Sequence, residues 1–304
     1  MSATTGLGEY SMFTATLIAG DGLAAGDVSA AADRLAAVAC GPAAPRWVEP
    51  GIACDIDFAA DPAAARGALE GAFRGTDVVV QPRDGREKRL LVADMDSTMI
   101  TVECIDELAD YAGLKPQIAE ITERAMRGEL DFEGALDARV GLLAGLPEEA
   151  IDRCLAERVR IMPGAKRLVR TMRARGAGTV LVSGGFTRFA EPVAREIGFD
   201  RAIANRLLVA EGTLTGRVAR PIVGAATKLE TLRAVADALG LAPAQTLAVG
   251  DGANDLPMIE AAGLGVAYHA KPVVAAAAAA RIAHGDLSAL LYAQGIARAD
   301  WAAE

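Results

Sequence analysis

The alternation of hydrophobic and polar residues predicts two stretches of chain with different orders of secondary structure. In residues 10–81 the apolar runs predict strand, helix, strand, strand, helix and strand, at residues 12–19, 28–39, 46–49, 52–58, 61–73 and 76–81. Pro50 and Gly51 predict the turn between the second and third strands, and Asp61 followed by Pro62 is typical of a helix start. This βαββαβ order is typical of a small α+β domain of the split βαβ kind.

A polar, turn-rich segment at residues 81–89 (QPRDGREKR) predicts a linker. We therefore expect a domain boundary near residue 84, with one domain at residues 1–84 and a second at residues 85–304. The second stretch opens with an apolar strand at residues 90–93, and a helical insertion follows at about residues 102–160.

Strands and helices then alternate to the end of the chain. Helices are expected at residues 163–175, 187–197, 228–239 and 255–262, strands at 179–182, 246–249 and 265–268, and a hairpin at 207–218. A helix, a short strand and a final helix complete the chain. Such alternation predicts an α/β fold with a parallel sheet that carries helices on both faces.

Small or acidic loops directly follow three of the apolar strands. Their sequences are DMDST from Asp94, SGG from Ser183 and GDGAND from Gly250. Because ligands of open parallel sheets bind outside the carboxyl ends of the strands, we expect the three loops to form one site.

Acidic residues dominate two of these loops. Asp94 and Asp96 are two residues apart and point the same way if strand geometry persists, and Asp251 and Asp255 add two carboxylates. The acids would repel each other unless a hard cation such as Mg²⁺ bound them. The glycines let the backbone approach a ligand closely, and helix N-termini favour anions. Together with Lys228 as a source of positive charge, the pattern indicates a magnesium-dependent phosphate site.

Composition and charge exclude several other classes of protein. The 304 residues carry a formal net charge of −9, which argues against general binding to nucleic acid or to an anionic membrane surface. Only two histidines are present, so a histidine-rich zinc site is excluded. The four cysteines form no CxxC motif and predict no disulfide framework. With no leader sequence and no apolar run of membrane-spanning length, we expect a cytoplasmic protein.

The loop motifs resemble a known family. DMDST, SGG after the next strand, an isolated lysine and GDGANDLPM, in this order over about residues 88–268, resemble the four-motif signature of the haloacid dehalogenase-like phosphatases. The resemblance implies a Rossmann-like parallel sheet with a helical cap inserted at about residues 102–160. It also implies that Asp94 is the nucleophile that forms an aspartyl-phosphate and that Asp96 is the general acid and base.

The same resemblance implies the remaining roles at the sheet edge. Mg²⁺ would be bound by Asp94, Asp251 and the backbone carbonyl of Asp96, and Asp255 would position a metal-bound water. The phosphoryl group would be held by Ser183, Gly184 and Lys228, with Asn254 on the phosphate side of the ligand.

Segments in the inserted helical stretch and after it are similar to those of the members that hydrolyse phosphoserine. The similar segments are VECIDE at residues 102–107, FEGALDARV at 132–140, and the motifs IMPGA and VSGGF. By this resemblance Glu103 would bind the substrate ammonium, Arg139 its carboxylate, and Phe132 would cover the site. The implied reaction is hydrolysis of O-phospho-L-serine to L-serine and phosphate, the final step of serine biosynthesis.

The first domain resembles an ACT-like ligand-binding module in the order of its elements but in no motif. Such modules often pair between chains, which would be compatible with a homodimer formed through this domain. Two alternatives remain open at this stage. One is a different small-molecule phosphomonoesterase, or a phosphotransferase that uses homoserine as the acceptor. The other is a regulatory amino-acid sensor whose core has lost catalysis.

Overall fold

A computed structural model describes residues 12–126 and 129–303, so residues 1–11 of the predicted first domain lie outside the described part. Within it the strands form a four-stranded sheet, a six-stranded sheet and a two-stranded hairpin. None of the described helices has the length and apolar character needed to cross a lipid bilayer.

The first sheet is antiparallel, with strand order β2-β3-β1-β4, and two helices accompany it. The elements are β1 (Phe13–Ile18), α1 (Ala25–Ala37), β2 (Arg46–Glu49), β3 (Ala53–Phe58), α2 (Pro62–Leu69) and β4 (Asp77–Pro82). The predicted βαββαβ order is confirmed. As expected, α2 begins at Pro62, and the side chain of Asp61 caps it by accepting a hydrogen bond from the Ala64 N–H at 2.9 Å.

The remaining strands belong to the parallel sheet or to the hairpin. They are β5 (Leu90–Ala93), β6 (Gly178–Phe186), β7 (Arg201–Asn205), β8 (Leu207–Ala210), β9 (Thr213–Val218), β10 (Thr246–Gly250), β11 (Leu264–Tyr268) and β12 (Ala280–Ile282). The parallel sheet has the order β12-β11-β10-β5-β6-β7, and β8 pairs with β9 in the hairpin. Since β10, β5 and β6 are neighbours, the three loops singled out in the sequence meet at one edge.

The helices after β5 fall into two groups. An insertion between β5 and β6 begins with α3 (Cys104–Tyr111), α4 (Lys115–Met126), α5 (Phe132–Leu142) and α6 (Glu149–Arg158). The helices that accompany the parallel sheet are α7 (Ala165–Ala174), α8 (Thr187–Ile197), α9 (Ala225–Ala238), α10 (Leu256–Ala261), α11 (Pro272–Ala277) and α12 (Ala289–Ala293). The expected α/β fold with an inserted helical cap is confirmed.

Two features of the parallel sheet differ from expectation. β7 was not predicted, because its sequence RAIAN is mostly half-buried and lacks a clear alternation. β6 does not end at Val182 but continues through the SGG segment, and after a register shift Phe186 pairs with Asn205. The predicted loop is therefore an irregular strand end.

The hairpin β8–β9 contacts the helical insertion. The Gly145 N–H donates to the Leu214 carbonyl at 2.8 Å, and the Leu214 N–H donates to the Leu146 carbonyl at 2.8 Å. Gly216 has φ +73°, and a Cβ there would lie 2.9 Å from the Ala144 side chain. The cap therefore consists of the inserted helices and the hairpin, which lie in separate parts of the sequence.

The two faces of the first sheet pack against different partners. Leu17 and Val78 face α1 and α2 in a core of their own, whereas Ile18 and Val79 belong to the large core of the rest of the chain. The alternation is that of a sheet covered on both sides. The segment between β4 and β5, predicted as a linker, is held in place, since Arg86 forms an ion pair with Asp55 at 2.8 Å. The domain boundary near residue 84 lies in this segment and stays a proposal.

The carboxylate of Asp77 links the two sheets. It is only 3% exposed and accepts backbone hydrogen bonds from Ala283, His284 and Gly285, at 2.8, 3.2 and 2.7 Å. Nearby, the Gln81 side chain donates to the Ala293 carbonyl at 2.8 Å. The carboxylate thus satisfies three N–H groups of the segment after β12.

We predict that Asp77→Ala lowers the free energy of unfolding by about 3–5 kcal/mol, because three N–H groups lose a charged acceptor in a buried place. Urea denaturation of both proteins measures the difference. Asp84→Ala, which changes an exposed aspartate of the same stretch, is the matched control and should stay within about 0.5 kcal/mol of the parent. A similar small change for Asp77→Ala would contradict the anchoring role.

Candidate active site

The predicted site residues meet around one cavity of about 500 Å³. It lies at the carboxyl edge of β5, β6 and β10, under the inserted helices. The predicted residues that line it are Asp94, Asp96, Glu103, Phe132, Arg139, Gly184, Asp251 and Asn254. Ser183, Lys228 and Asp255 are fully buried beside it and reach it through contacts with these residues. All eleven predicted residues therefore belong to one site.

A fully buried lysine lies at the base of the site. The Lys228 Nζ lies 2.5 Å from Asp94 Oδ1 and 2.6 Å from Asp255 Oδ1. Burial alone would lower the pKa of Lys228, but the two carboxylates outweigh it and hold that pKa above its usual value. Burial raises the pKa of Asp94 well above normal, and Lys228 opposes this rise. The lysine is therefore a permanent cation that keeps two buried carboxylates in place.

Three carboxylates form a potential cation site. Oxygen atoms of Asp94, Asp251 and Asp255 all lie within 4.8 Å of one another. The Thr98 hydroxyl donates to Asp251 at 3.0 Å, while burial, and next the charge of Asp255, raise the pKa of Asp251 to about 6. Mutual repulsion of this kind is relieved by a hard divalent cation with oxygen ligands, and the donor set fits Mg²⁺. The predicted third protein ligand was the backbone carbonyl of Asp96, and that assignment stays a prediction.

The Asp96 carboxylate lies apart from this cluster and has its own partners. It accepts hydrogen bonds from the Cys104 N–H at 2.9 Å and from the Ser183 hydroxyl at 3.2 Å. Burial, and next the charge of Glu103, raise the pKa of Asp96 to about 6. A carboxyl group with this pKa exchanges a proton near neutral pH, as a general acid–base group must.

The SGG segment passes close to Asp96 and Phe132, where glycine leaves the neighbouring side chains undisturbed. A Cβ on Gly185 would lie 2.8 Å from Asp96 Oδ2, and a Cβ on Gly184 would lie 3.2 Å from the Phe132 ring. The segment is oriented by Asn205, whose amide group donates to the carbonyls of Gly184 and Val223 at 2.8 and 3.1 Å. Sequence reasoning missed Asn205, because no motif marks it and β7 itself was not predicted.

The cap contributes a carboxylate, a guanidinium group and an aromatic ring. Glu103 accepts a hydrogen bond from the Ser97 hydroxyl at 2.7 Å. The Arg139 Nε donates to the Ala135 carbonyl at 3.3 Å. Burial lowers the pKa of Arg139, against the carboxylates of Asp106, Glu103 and Asp96. The Phe132 ring lies over Gly184 and remains 38% exposed, so the cavity is open at this side.

Further residues line the cavity without having been predicted. Lys271 adds a cation at the rim, and its N–H donates to the Asp251 carbonyl at 3.3 Å. Asp106, to which the sequence analysis assigns no role, also lines the cavity. Thr98 also contacts the cluster through Asp251. Thr98 lies inside the DMDST motif and could have been found there, whereas Lys271 and Asp106 lie outside every loop motif.

Comparison with known proteins identifies the family. A family model described as haloacid dehalogenase-like hydrolase matches residues 91–260. The chain belongs to the haloacid dehalogenase-like hydrolase family. The match spans the carboxylates, the SGG segment and Lys228, but ends before Lys271. It also includes the helical insertion, so cap and sheet edge both lie within the matched region of this haloacid dehalogenase-like chain.

Individual proteins similar to this haloacid dehalogenase-like chain include phosphoserine phosphatases and another hydrolase of the family. A curated phosphoserine phosphatase of Streptomyces coelicolor is 48% identical over 233 residues, which are 76% of this chain and 57% of that protein. The chain spans little more than half the length of three such curated relatives. A HAD-family hydrolase structure from Salmonella enterica serovar Typhi has a TM-score of 0.81 at 29% identity, over 93% of this chain and 98% of that one. A phospho-aspartyl intermediate analogue of phosphoserine phosphatase has a TM-score of 0.63 at 38% identity, over 68% and 98%.

We predict that Mg²⁺ raises the melting temperature of the parent protein by roughly 3–8 °C at about one hundred times its Kd, because it binds only the folded carboxylate cluster. Asp251→Asn should melt higher than the parent without Mg²⁺, since one repelling charge is gone, and should lose most of the Mg²⁺ effect. Thermal melts with and without the ion measure both changes.

Asp237→Asn is the control, because this exposed aspartate lies at the end of α9, away from the cluster. It should keep the full Mg²⁺ effect. An undiminished shift in Asp251→Asn would show that the ion binds elsewhere.

Proposed function

We propose that the protein hydrolyses O-phospho-L-serine to L-serine and phosphate. The observation that carries the proposal is the joint position of the Lys228–Asp94–Asp255 group and the Glu103 and Arg139 side chains around one cavity. The first group suits a phosphate, and the cap residues suit an ammonium and a carboxylate. The phosphoserine phosphatases among the relatives support the same substrate.

In the proposed reaction Asp94 is the nucleophile. Its carboxylate oxygen forms a bond to phosphorus while the bond between phosphorus and the serine oxygen breaks. The leaving alkoxide needs a proton, and Asp96, with a pKa of about 6, donates it. Water then attacks the aspartyl-phosphate, Asp96 takes up a proton from that water, and phosphate leaves with Asp94 restored.

Lys228 and the SGG segment are proposed to hold the phosphoryl group. Lys228 is a buried cation next to the nucleophile, so it offsets the negative charge of the phosphoryl oxygens without rearranging. Ser183 and Gly184, at the end of β6, are proposed to contact the same oxygens. Asn254 lines the cavity near Gly184, and a Cβ built on Gly184 would lie 3.8 Å from the Asn254 amide nitrogen.

Mg²⁺ is the proposed cofactor, held by Asp94, Asp251 and the backbone carbonyl of Asp96. When bound, the ion neutralises phosphate charge so that an anionic carboxylate can approach phosphorus. Asp255 is proposed to stabilise this arrangement from its buried side. Lys228 and the Gly252 N–H each donate to one of its two oxygens, at 2.6 and 3.0 Å.

Substrate choice is assigned to the cap. Glu103 is proposed to bind the ammonium group, and Arg139 the carboxylate, through the planar fork of its guanidinium. Phe132 would cover the cavity from the side where it is open. Closure of this kind excludes water from the first step and holds the ester in line with Asp94.

A cytoplasmic location and a homodimer are also proposed. All four cysteines are free and buried, which suits the reducing cytoplasm. A homodimer through the first domain is supported by β2, which lies at the edge of its sheet and carries Trp47 with 38% exposure. An aromatic residue on an edge strand is a suitable element for pairing with a second chain.

We predict that Asp94→Asn reduces phosphoserine hydrolysis by about 10⁴-fold or more while the protein stays folded, because the amide cannot act as the nucleophile. Phosphate release with Mg²⁺ measures activity, and thermal melting checks the fold. Inactivity of clean parent protein would favour a sensor without catalysis.

We also predict that Arg139→Ala reduces kcat/KM for phosphoserine by about 10²–10³-fold, because the substrate carboxylate loses its charged partner. Turnover of a small aryl phosphate, which has no such group, should change by less than about threefold. Arg124→Ala on α4 is the control, since its side chain pairs with Glu129 and does not line the cavity. Equal losses on both substrates would remove Arg139 from the specificity role.

A further inference from the structure

One buried carboxylate oxygen in the cavity has no hydrogen-bond partner among the residues that the structure describes. Asp106 lies on α3, one turn after Glu103, and lines the cavity. Its Oδ1 atom is hidden from solvent and forms no hydrogen bond to any described residue. Leaving a buried acceptor unsatisfied is costly, so an oxygen in this position favours a ligand or a rearranged side chain that can donate to it.

The guanidinium of Arg139 lines the same cavity as Asp106. Among the carboxylates that act on Arg139, Asp106 has the largest effect, ahead of Glu103 and Asp96. No hydrogen bond or ion pair nevertheless joins Asp106 to Arg139, although both are described residues. The guanidinium uses its Nε for the Ala135 carbonyl, at 3.3 Å. The two side chains therefore line one cavity without a direct contact.

The positions of the charged side chains along the cavity indicate a role for Asp106. Glu103 accepts a hydrogen bond from the hydroxyl of Ser97, the neighbour of Asp96, so it lies toward the reacting end. Asp106 lines the same cavity as Arg139, whose guanidinium is assigned to the substrate carboxylate. A guanidinium binds a carboxylate with two parallel hydrogen bonds only when its plane is held in one orientation. A short side chain on a helix, with an unpartnered oxygen in the same cavity as the guanidinium, can supply that restraint.

We propose that Asp106 is a positioning residue for Arg139. Its free oxygen accepts a hydrogen bond from one edge of the guanidinium when the substrate carboxylate occupies the other edge. Arg139 then lies between two carboxylates, one of the protein and one of the substrate. This role rests on the proposed function, and it makes Asp106 a determinant of specificity for phosphate esters that carry a carboxylate.

The test compares three phosphate esters on the full chain with Mg²⁺. O-phospho-L-serine has both charged groups, O-phosphoethanolamine lacks the carboxylate, and 3-phosphonooxypropionate lacks the ammonium. For Asp106→Asn we expect KM to rise about tenfold or more for the two esters with a carboxylate, and kcat to fall less than threefold. O-phosphoethanolamine should change by less than about threefold in both constants.

A double-mutant cycle separates a positioning role from an independent one. In an Arg139→Ala background, Asp106→Asn should have no further effect on phosphoserine, because its partner is already gone. Asp106→Glu should recover part of the lost affinity. Asp110→Asn is the matched control, since Asp110 lies on the same helix, contacts Arg158 and does not line the cavity. Thermal melts check that each variant is folded.

Several outcomes would overturn the proposal. A larger loss on O-phosphoethanolamine than on 3-phosphonooxypropionate would place Asp106 on the ammonium instead. Additive losses in the cycle would show that it does not act through Arg139, and unchanged kinetics would show no role at all. If the parent protein hydrolyses phosphoserine in these cases, only this inference fails. If the parent does not hydrolyse phosphoserine, the proposed function fails with it.

Discussion

The geometry of the site depends on one buried cation held between two carboxylates. Lys228 comes from α9, Asp94 from the end of β5 and Asp255 from the turn before α10, so the contacts join three distant parts of the chain. None of the three groups is stable alone in this environment, because each would be a buried charge without a counterion. Their mutual compensation allows two carboxylates and an ammonium group to be buried together at the carboxyl edge of the parallel sheet.

A second constraint is steric. In the SGG segment, a Cβ at Gly185 would lie 2.8 Å from Asp96 and one at Gly184 3.2 Å from Phe132, so a side chain at either position would require these neighbours to shift. Asn205 holds the same segment from the other side by bonding the Gly184 carbonyl. The strand end, the acid and the aromatic ring are therefore packed as one unit.

The sequence predicted the sheet and the site where local signals were strong. Apolar runs that end in DMDST, SGG and GDGAND marked β5, β6 and β10, and the strand-end rule then placed their side chains together. β7 escaped because a short, half-buried strand has no clear period. Asp106, Lys271 and Asn205 escaped for another reason, since their importance comes from what the fold brings near them and not from neighbours in sequence. The placement of the hairpin on the cap is a long-range contact of the same kind.

The shared core between the first sheet and α12 has a consequence for dissecting the molecule. α12 is buried along its whole length and contacts β1, and the Asp77 carboxylate secures the loop that leads to it. A fragment that starts at the linker would present this helix to water as a bare apolar surface and leave several amide groups without acceptors. We therefore expect a fragment without the first sheet to be less stable than the full chain.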